Sequence, residues 1–110
     1  MSDVRLYLAQ RISAMIMAPL VFIHLGMMIY AIQGGLSADE ILVRTQGSVF
    51  WLLFYGLFVA AASLHAAIGL RVIAHETLRL RGMALGVLTW GIFGLFFYMG
   101  VRAVTAVTMI

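Results

Sequence analysis

Three long apolar stretches dominate the chain: Leu8 to Ile32, Gly47 to Ile73, and Met83 to Val107. Each carries a single arginine (Arg11, Arg71 and Arg102) and no acidic side chain. Crossing the hydrocarbon core of a bilayer takes about 20 apolar residues per helix. The pattern therefore predicts an all-α integral membrane protein with three transmembrane helices. Polar segments separate the spans. The first, "QGGLSADEILVRTQGS", is rich in turn-forming residues and is expected to be a loop. The second, "AHETLRLRG", is short, so the second and third spans should be antiparallel neighbours. No domain boundary, low-complexity tract or internal repeat interrupts residues 1–110, which read as one membrane domain.

Composition supports this reading. The chain is 65% hydrophobic and only 10% charged, against about 25% charged residues in soluble domains. A soluble fold of this size could not bury so much apolar surface. The start, "MSDVRLYLAQR", lacks a convincing small-x-small cleavage site and leads into too long an apolar run for a signal peptide, so the first span is expected to be retained. With no cysteine, the chain offers no disulfide, iron–sulfur ligand or thiolate haem ligand. All seven basic residues are arginines, and the formal charge is +3. In so apolar a chain this charge reads as an orientation signal rather than a nucleic-acid footprint. Arg5, Arg11, Arg71, Arg79 and Arg81 fall on one side of a three-span protein, Arg44 and Arg102 on the other. The positive-inside rule then puts the N-terminus in the cytoplasm and the first loop on the periplasmic side. Tyr7, Tyr30 and Trp51 lie where interfacial anchors belong. Pro19 removes a backbone hydrogen bond within the first span and predicts a kink. Gly82 and Gly86 form a GxxxG spacing, either a close helix contact or ordinary glycine usage in an apolar helix.

The candidate chemistry lies in two histidines. "MIMAPLVFIHLGMMIYAI" is apolar except for His24, and "AAASLHAAIGLR" places His65 inside the second span. Ionisable residues within a membrane are rare and mark functional sites by default. Ala61, Ala62 and Gly69 share the face of His65 at helical spacing. Such a smooth strip suits a flat apolar partner such as a haem macrocycle, or the packing of another helix with His65 hydrogen-bonded. Counting from the flanking arginines at about 1.5 Å per residue, His24 lies about 20 Å from the cytoplasmic boundary and His65 about 9 Å. The two imidazoles differ in depth by about 10 Å and cannot serve one iron from within one chain. If both bind haem, they bind different haems, and each iron needs a second ligand from another chain. His75 lies in the basic connection beside Glu76 and reads as a solvated residue.

These residues resemble the cytochrome b membrane anchors of succinate dehydrogenase and fumarate reductase, complex II. "YGLFVAAASLHAAIGLRVIAHE" is similar to the family's second helix, with His65, Gly69 and Arg71 at the places of the haem-ligand histidine, the glycine and the arginine that follow one another there. "LAQRISAMI" resembles the family's segment at the cytoplasmic start of the first helix, close to Ser-x-x-His-Arg-x-Ser/Thr-Gly. Arg11 and Ser13 fit; Tyr7, Gln10 and Ala14 replace the usual Ser, His and Gly. The resemblance is closer to the two-haem members, whose first helix carries a glutamine and, fourteen residues on, a haem ligand, as Gln10 and His24 do. It covers the first two spans; the third matches only as a third span.

The resemblance implies one or two haem b groups with His65 and His24 as axial ligands, His65 on the proximal haem and His24 on the distal one. It also implies a quinone substrate, and partners comprising a flavoprotein, an iron–sulfur subunit and a second membrane-anchor subunit or a second copy. The setting implied is a bacterial inner membrane. By the same resemblance Arg11, Arg71 and Ser13 are expected to belong to the cofactor-binding set with the two histidines; Arg11 and Arg71 could pair haem propionates or snorkel to lipid phosphates. Asp39 or Glu40 lies roughly where two-haem relatives place a proton-accepting carboxylate, and both suit a solvated loop equally. The other readings are a haem-free anchor of the same complex, a b-type cytochrome of another quinone-linked dehydrogenase, and a small transporter subunit. The spans lack the polar pathway residues or repeat that a transporter needs.

Overall fold

The computed structural model describes residues 3–109. They form four helices: α1 (Asp3–Gly34), α2 (Ala38–Thr45), α3 (Val49–Leu78) and α4 (Gly82–Thr108). Three of these, α1, α3 and α4, are long and apolar enough to cross a membrane. Each extends past its apolar stretch, α1 and α3 by several residues. At 30 residues, α3 is about 45 Å long, which spans the interfacial regions as well as the hydrocarbon. The bundle is 47 Å along its longest axis. Continuing a helix through the interface satisfies backbone groups that would otherwise be exposed near lipid.

The central helix is α3, which packs against both α1 and α4. Its sequence explains this. Ala61, Ser63, Ala67 and Ala74 are buried along it, and side chains this small let neighbouring backbones approach closely. The tightest approach is at Gly100 of α4, where a side chain would overlap Val59 of α3. By contrast, a Cβ at Gly82 or Gly86 would meet nothing within 4 Å, so the GxxxG pair is not a close helix contact within this chain. The outer faces of α1 and α4 carry large exposed apolar side chains, among them Phe22, Met15 and Trp90, as expected for surfaces solvated by lipid tails. Pro19 does not interrupt α1, which is helical from Asp3 to Gly34.

Two local structures depart from the sequence expectation. The first connection is not all loop: it contains α2, with Ser37 as N-cap accepting from the Glu40 amide at 3.2 Å. Ser37 and Glu40 have the spacing of a capping box, a helix-start signal in the sequence. Gly35 (φ 120°) and Gly47 (φ 74°) bracket this helix in backbone conformations that other residues seldom adopt. The second connection is shorter than expected, because α3 continues to Leu78 and ends on Arg79 in the left-handed conformation. His75 Nδ1 lies 2.9 Å from the Leu80 carbonyl and helps close this turn.

Three arginine–tyrosine pairs mark the helix ends: Arg11 with Tyr7, Arg44 with Tyr30 and Arg102 with Tyr98, each guanidinium within 6 Å of the ring centroid. Tyr7 and Tyr30 thus act with a cation rather than alone.

Candidate functional site

The two intramembrane histidines occupy separate places. His65 on α3 faces α1, with its Nδ1 3.2 Å from Ser13 Oγ. Ser13 is buried, 2% exposed, and its hydroxyl also donates to the Gln10 carbonyl at 3.0 Å. One turn towards the C-terminus of α3, Gly69 gives the Gln10 side chain room: a Cβ there would lie 3.6 Å from Gln10 Nε2. The Gln10 Oε1 atom is buried without a hydrogen-bond partner, a polar atom of the kind that proteins seldom leave unpaired. A small polar cluster of Gln10, Ser13 and His65 therefore joins α1 to α3 within otherwise apolar surroundings.

The strip of small residues around His65 divides between two uses. Ala61 is buried, and Gly69 lies under the Gln10 side chain, so this edge packs a helix. Ala62 turns the other way: with Ser63, Ala66 and Phe96 it lines a groove of about 310 Å³ between α3 and α4, which His65 does not border.

His24 lies towards the opposite end of the bundle. Its ring meets Tyr55 and Phe58 of α3 edge-on, with centroids 6.0 and 5.4 Å away. It lines an open apolar groove of about 430 Å³ that is bordered also by Ile41 and Thr45 of α2 and by Gly100 and Val104 of α4. That volume is within the range of small-molecule sites. Thr45 secures this end, its hydroxyl donating to the Val107 carbonyl at 2.7 Å.

The antiparallel register sets the separation of the histidines. Ser13 marks the level of His65 on α1, and His24 follows eleven residues later, about 16 Å along the axis. On α3, Phe58 marks the level of His24 and precedes His65 by seven residues, about 10 Å. The α3 measure matches the depth difference of about 10 Å read from the flanking arginines, and the α1 measure is larger; by either, the imidazoles lie in different layers. The fold keeps the two imidazoles apart, and among the described residues no three of His, Cys, Asp and Glu form a metal-binding group. A haem iron needs only one imidazole from each side. The donors present fit that chemistry: each histidine is the one imidazole at its level, His65 with Nδ1 on Ser13 and His24 between the aromatic rings of Tyr55 and Phe58.

The other candidates divide. Arg71 turns into the protein, its Nη1 donating to Thr89 Oγ1 at 3.1 Å. There it lines a cavity of about 240 Å³ with Gly82, Gly86, Trp90 and Phe93. A snorkelling arginine would lie outside the bundle, so Arg71 is placed as an internal cation. Arg11 is exposed and lies over Tyr7. Asp39 and Glu40 are exposed in the first turn of α2, where acidic side chains suit the helix dipole, and neither lines the His24 groove. The Glu40 carboxylate lies over Gly35, in space that a side chain there would need.

Sequence reasoning did not single out Tyr55, Phe58, Thr45 or Thr89. Tyr55 and Phe58 stand ten and seven residues before His65, so they could be found only after aligning α3 with α1. Thr89, eighteen residues after Arg71, is a polar side chain in an apolar span and was visible as such.

The family described as Succinate dehydrogenase/Fumarate reductase transmembrane subunit matches residues 2–100. No curated protein and no solved structure gives a significant match. The match takes in α1, α2 and α3 and most of α4, and so both intramembrane histidines and the Gln10–Ser13 cluster. This multi-pass membrane chain of three spanning helices accordingly belongs to the transmembrane subunits of succinate dehydrogenase and fumarate reductase.

Proposed function

We propose that this chain is a haem b-binding anchor of a succinate:quinone oxidoreductase or quinol:fumarate reductase, with His65 as an axial ligand of a proximal haem and His24 of a distal one. The observation that carries the reading is the contact between buried Ser13 and half-buried His65, in a chain that belongs to this family. A structural histidine needs only a partner. This one has its partner on one ring nitrogen, which leaves the other nitrogen to a ligand.

Haem held by these histidines would supply one-electron transfer. The chain's own residues do the rest. The low-polarity surroundings of both histidines set the dielectric that tunes the potential. Arg71, held by Thr89, supplies a fixed cation on the side that we assign to the cytoplasm, where it can pair a propionate. Arg11, exposed beside Tyr7, anchors the start of α1 at the interface and is a second candidate for such a pair.

The separation of the histidines means that each haem draws its other ligand from another polypeptide, a second anchor subunit or a second copy. A flavoprotein and an iron–sulfur subunit dock on the arginine-rich face formed by the start of α1 and the α3–α4 turn, and quinone reacts in the membrane. This places the N-terminus in the cytoplasm of a bacterial cell and the chain in its inner membrane. Glu40 or Asp39, at the far end, is the carboxylate that exchanges quinone protons.

The test is the haem b to flavin ratio of the detergent-purified complex, by pyridine haemochrome. The expected ratio is about two, falling towards about one in His24→Ala and in His65→Ala. A haem-free wild-type complex would make both histidines packing residues. A wild-type ratio of about one, unmoved by His24→Ala, would restrict the haem site to His65.

A further inference from the structure

We infer that Ser13 is a positioning residue for His65, fixing its imidazole in the tautomer with a proton on Nδ1 and a free lone pair on Nε2. The inference rests on the reading of His65 as an axial ligand, but the tautomer follows from proton bookkeeping alone.

A serine hydroxyl has one proton and two lone pairs. Ser13 Oγ has two neighbours, the Gln10 carbonyl oxygen at 3.0 Å and His65 Nδ1 at 3.2 Å. A carbonyl oxygen only accepts, so the shorter contact holds the hydroxyl proton. Back-bonding of a helical serine to the preceding turn is a common local geometry, and Ser13 is buried, so no water competes for this proton. Oγ then offers His65 only a lone pair. The contact is attractive if Nδ1 carries the hydrogen, and repulsive if two lone pairs face each other. A neutral imidazole has one N–H, so Nε2 is left as the acceptor. That is the nitrogen and the protonation state that an iron ligand requires, and a partner on the other nitrogen fixes the orientation of the ring.

Gln10 holds the other end of this arrangement. Its carbonyl takes the serine proton, and its side chain lies over Gly69 on the same face of α3. On this assignment Ser13 acts through His65.

The test has a haem-free arm and a haem-bound arm. The full chain, labelled with 15N-histidine and placed in detergent micelles without haem, is expected to show His65 with a pyrrole-type Nδ1 and a pyridine-type Nε2. The resonances are assigned by their loss in His65→Gln. In Ser13→Ala this pattern should be lost in favour of the opposite tautomer or a mixture, and Ser13→Thr should restore it. A pyridine-type Nδ1 in the wild type, or an unchanged spectrum in Ser13→Ala, overturns the inference. Ser13→Cys, close in size but a weak acceptor, gives the same comparison if the alanine variant fails to insert.

In the assembled complex, Ser13→Ala should raise the midpoint potential of the proximal haem, because a less basic ligand stabilises the ferric state less, and Ser13→Thr should return it. A potential that does not move overturns the tuning role. A complex that holds no haem while the micelle spectra come out as expected overturns the axial-ligand reading and leaves the tautomer assignment standing.

Discussion

Gly100 of α4 stands directly against Val59 of α3, so that a Cβ at position 100 would overlap the valine side chain. At this point the central helix meets its neighbour with a β-branched side chain laid on bare backbone. The contact lies beside the His24 groove, which both residues line. Small-to-large changes in packed sites typically cost about 1–3 kcal/mol. We expect Gly100→Leu to lower the unfolding free energy of the chain in micelles by this order, read as a lower thermal unfolding temperature, and to spread α4 from α3. Gly86→Ala, where the added methyl has open space, should be neutral or stabilising by up to about 1 kcal/mol, the helix-propensity difference between the two residues. Equal effects of the two substitutions would mean that the Gly100–Val59 contact does not hold the bundle together.

How far the sequence foretold this arrangement depends on which forces acted at each place. The three spans were legible because lipid imposes a length and a uniform apolarity that no other setting does. The depth difference of His24 and His65 was legible because helical rise is fixed. The contact between His65 and Ser13 was not, since it joins residues 52 positions apart and depends on the register in which α1 meets α3. The same is true of Gly100: helix α4 carries several glycines, and only the packing decides which one touches. GxxxG spacing pointed to Gly82 and Gly86, which instead leave room in the Arg71 cavity. The α2 helix was missed because its turn-rich flanks outweighed the Ser37–Glu40 capping signal.

Helix α2 is fastened at one end. Thr45 Oγ1 donates to the Val107 carbonyl and the Gly47 amide to the Thr108 carbonyl at 2.8 Å, whereas residues 36–40 are exposed. Replacing Thr45 by Val keeps the shape and removes the side-chain bond, worth about 0.5–1.5 kcal/mol. Amide hydrogen exchange over residues 38–46 should accelerate, with little change in α3. Unchanged exchange would show that the Gly47–Thr108 bond alone holds the helix.

The Arg71 guanidinium donates to a hydroxyl inside the bundle, that of Thr89. Thr89 Oγ1 accepts from it while donating to the Leu85 carbonyl at 2.8 Å. Thr89→Val removes an acceptor from a partly buried cation, and bonds to charged groups contribute about 1.5–3 kcal/mol. Thr89→Ser preserves it. Thermal unfolding of both variants should separate them by this order, and Arg71→Leu should lower haem retention more than Thr89→Val does, since the cation itself is lost. Equal haem retention in Arg71→Leu and wild type would take Arg71 out of the propionate role.

Glu40 distinguishes a structural carboxylate from a proton-transferring one. It sits exposed in the first turn of α2, its amide capped by Ser37 and its carboxylate over Gly35, outside the His24 groove. Glu40→Gln keeps the shape and removes the charge. As a helix-dipole partner Glu40 contributes about 0.3–1 kcal/mol, and its loss should be visible only as slightly faster hydrogen exchange in α2. As the proton acceptor for quinol oxidation its loss is expected to slow quinol turnover while the haem b content stays at the wild-type level. Asp39→Asn serves as the companion, because the neighbouring carboxylate shares the turn and any general effect of charge. Slowed turnover in Glu40→Gln alone assigns the role to Glu40, and slowed turnover in Asp39→Asn alone assigns it to Asp39. Unchanged quinol turnover in both variants would remove this pair from the mechanism and leave them as residues that start a helix.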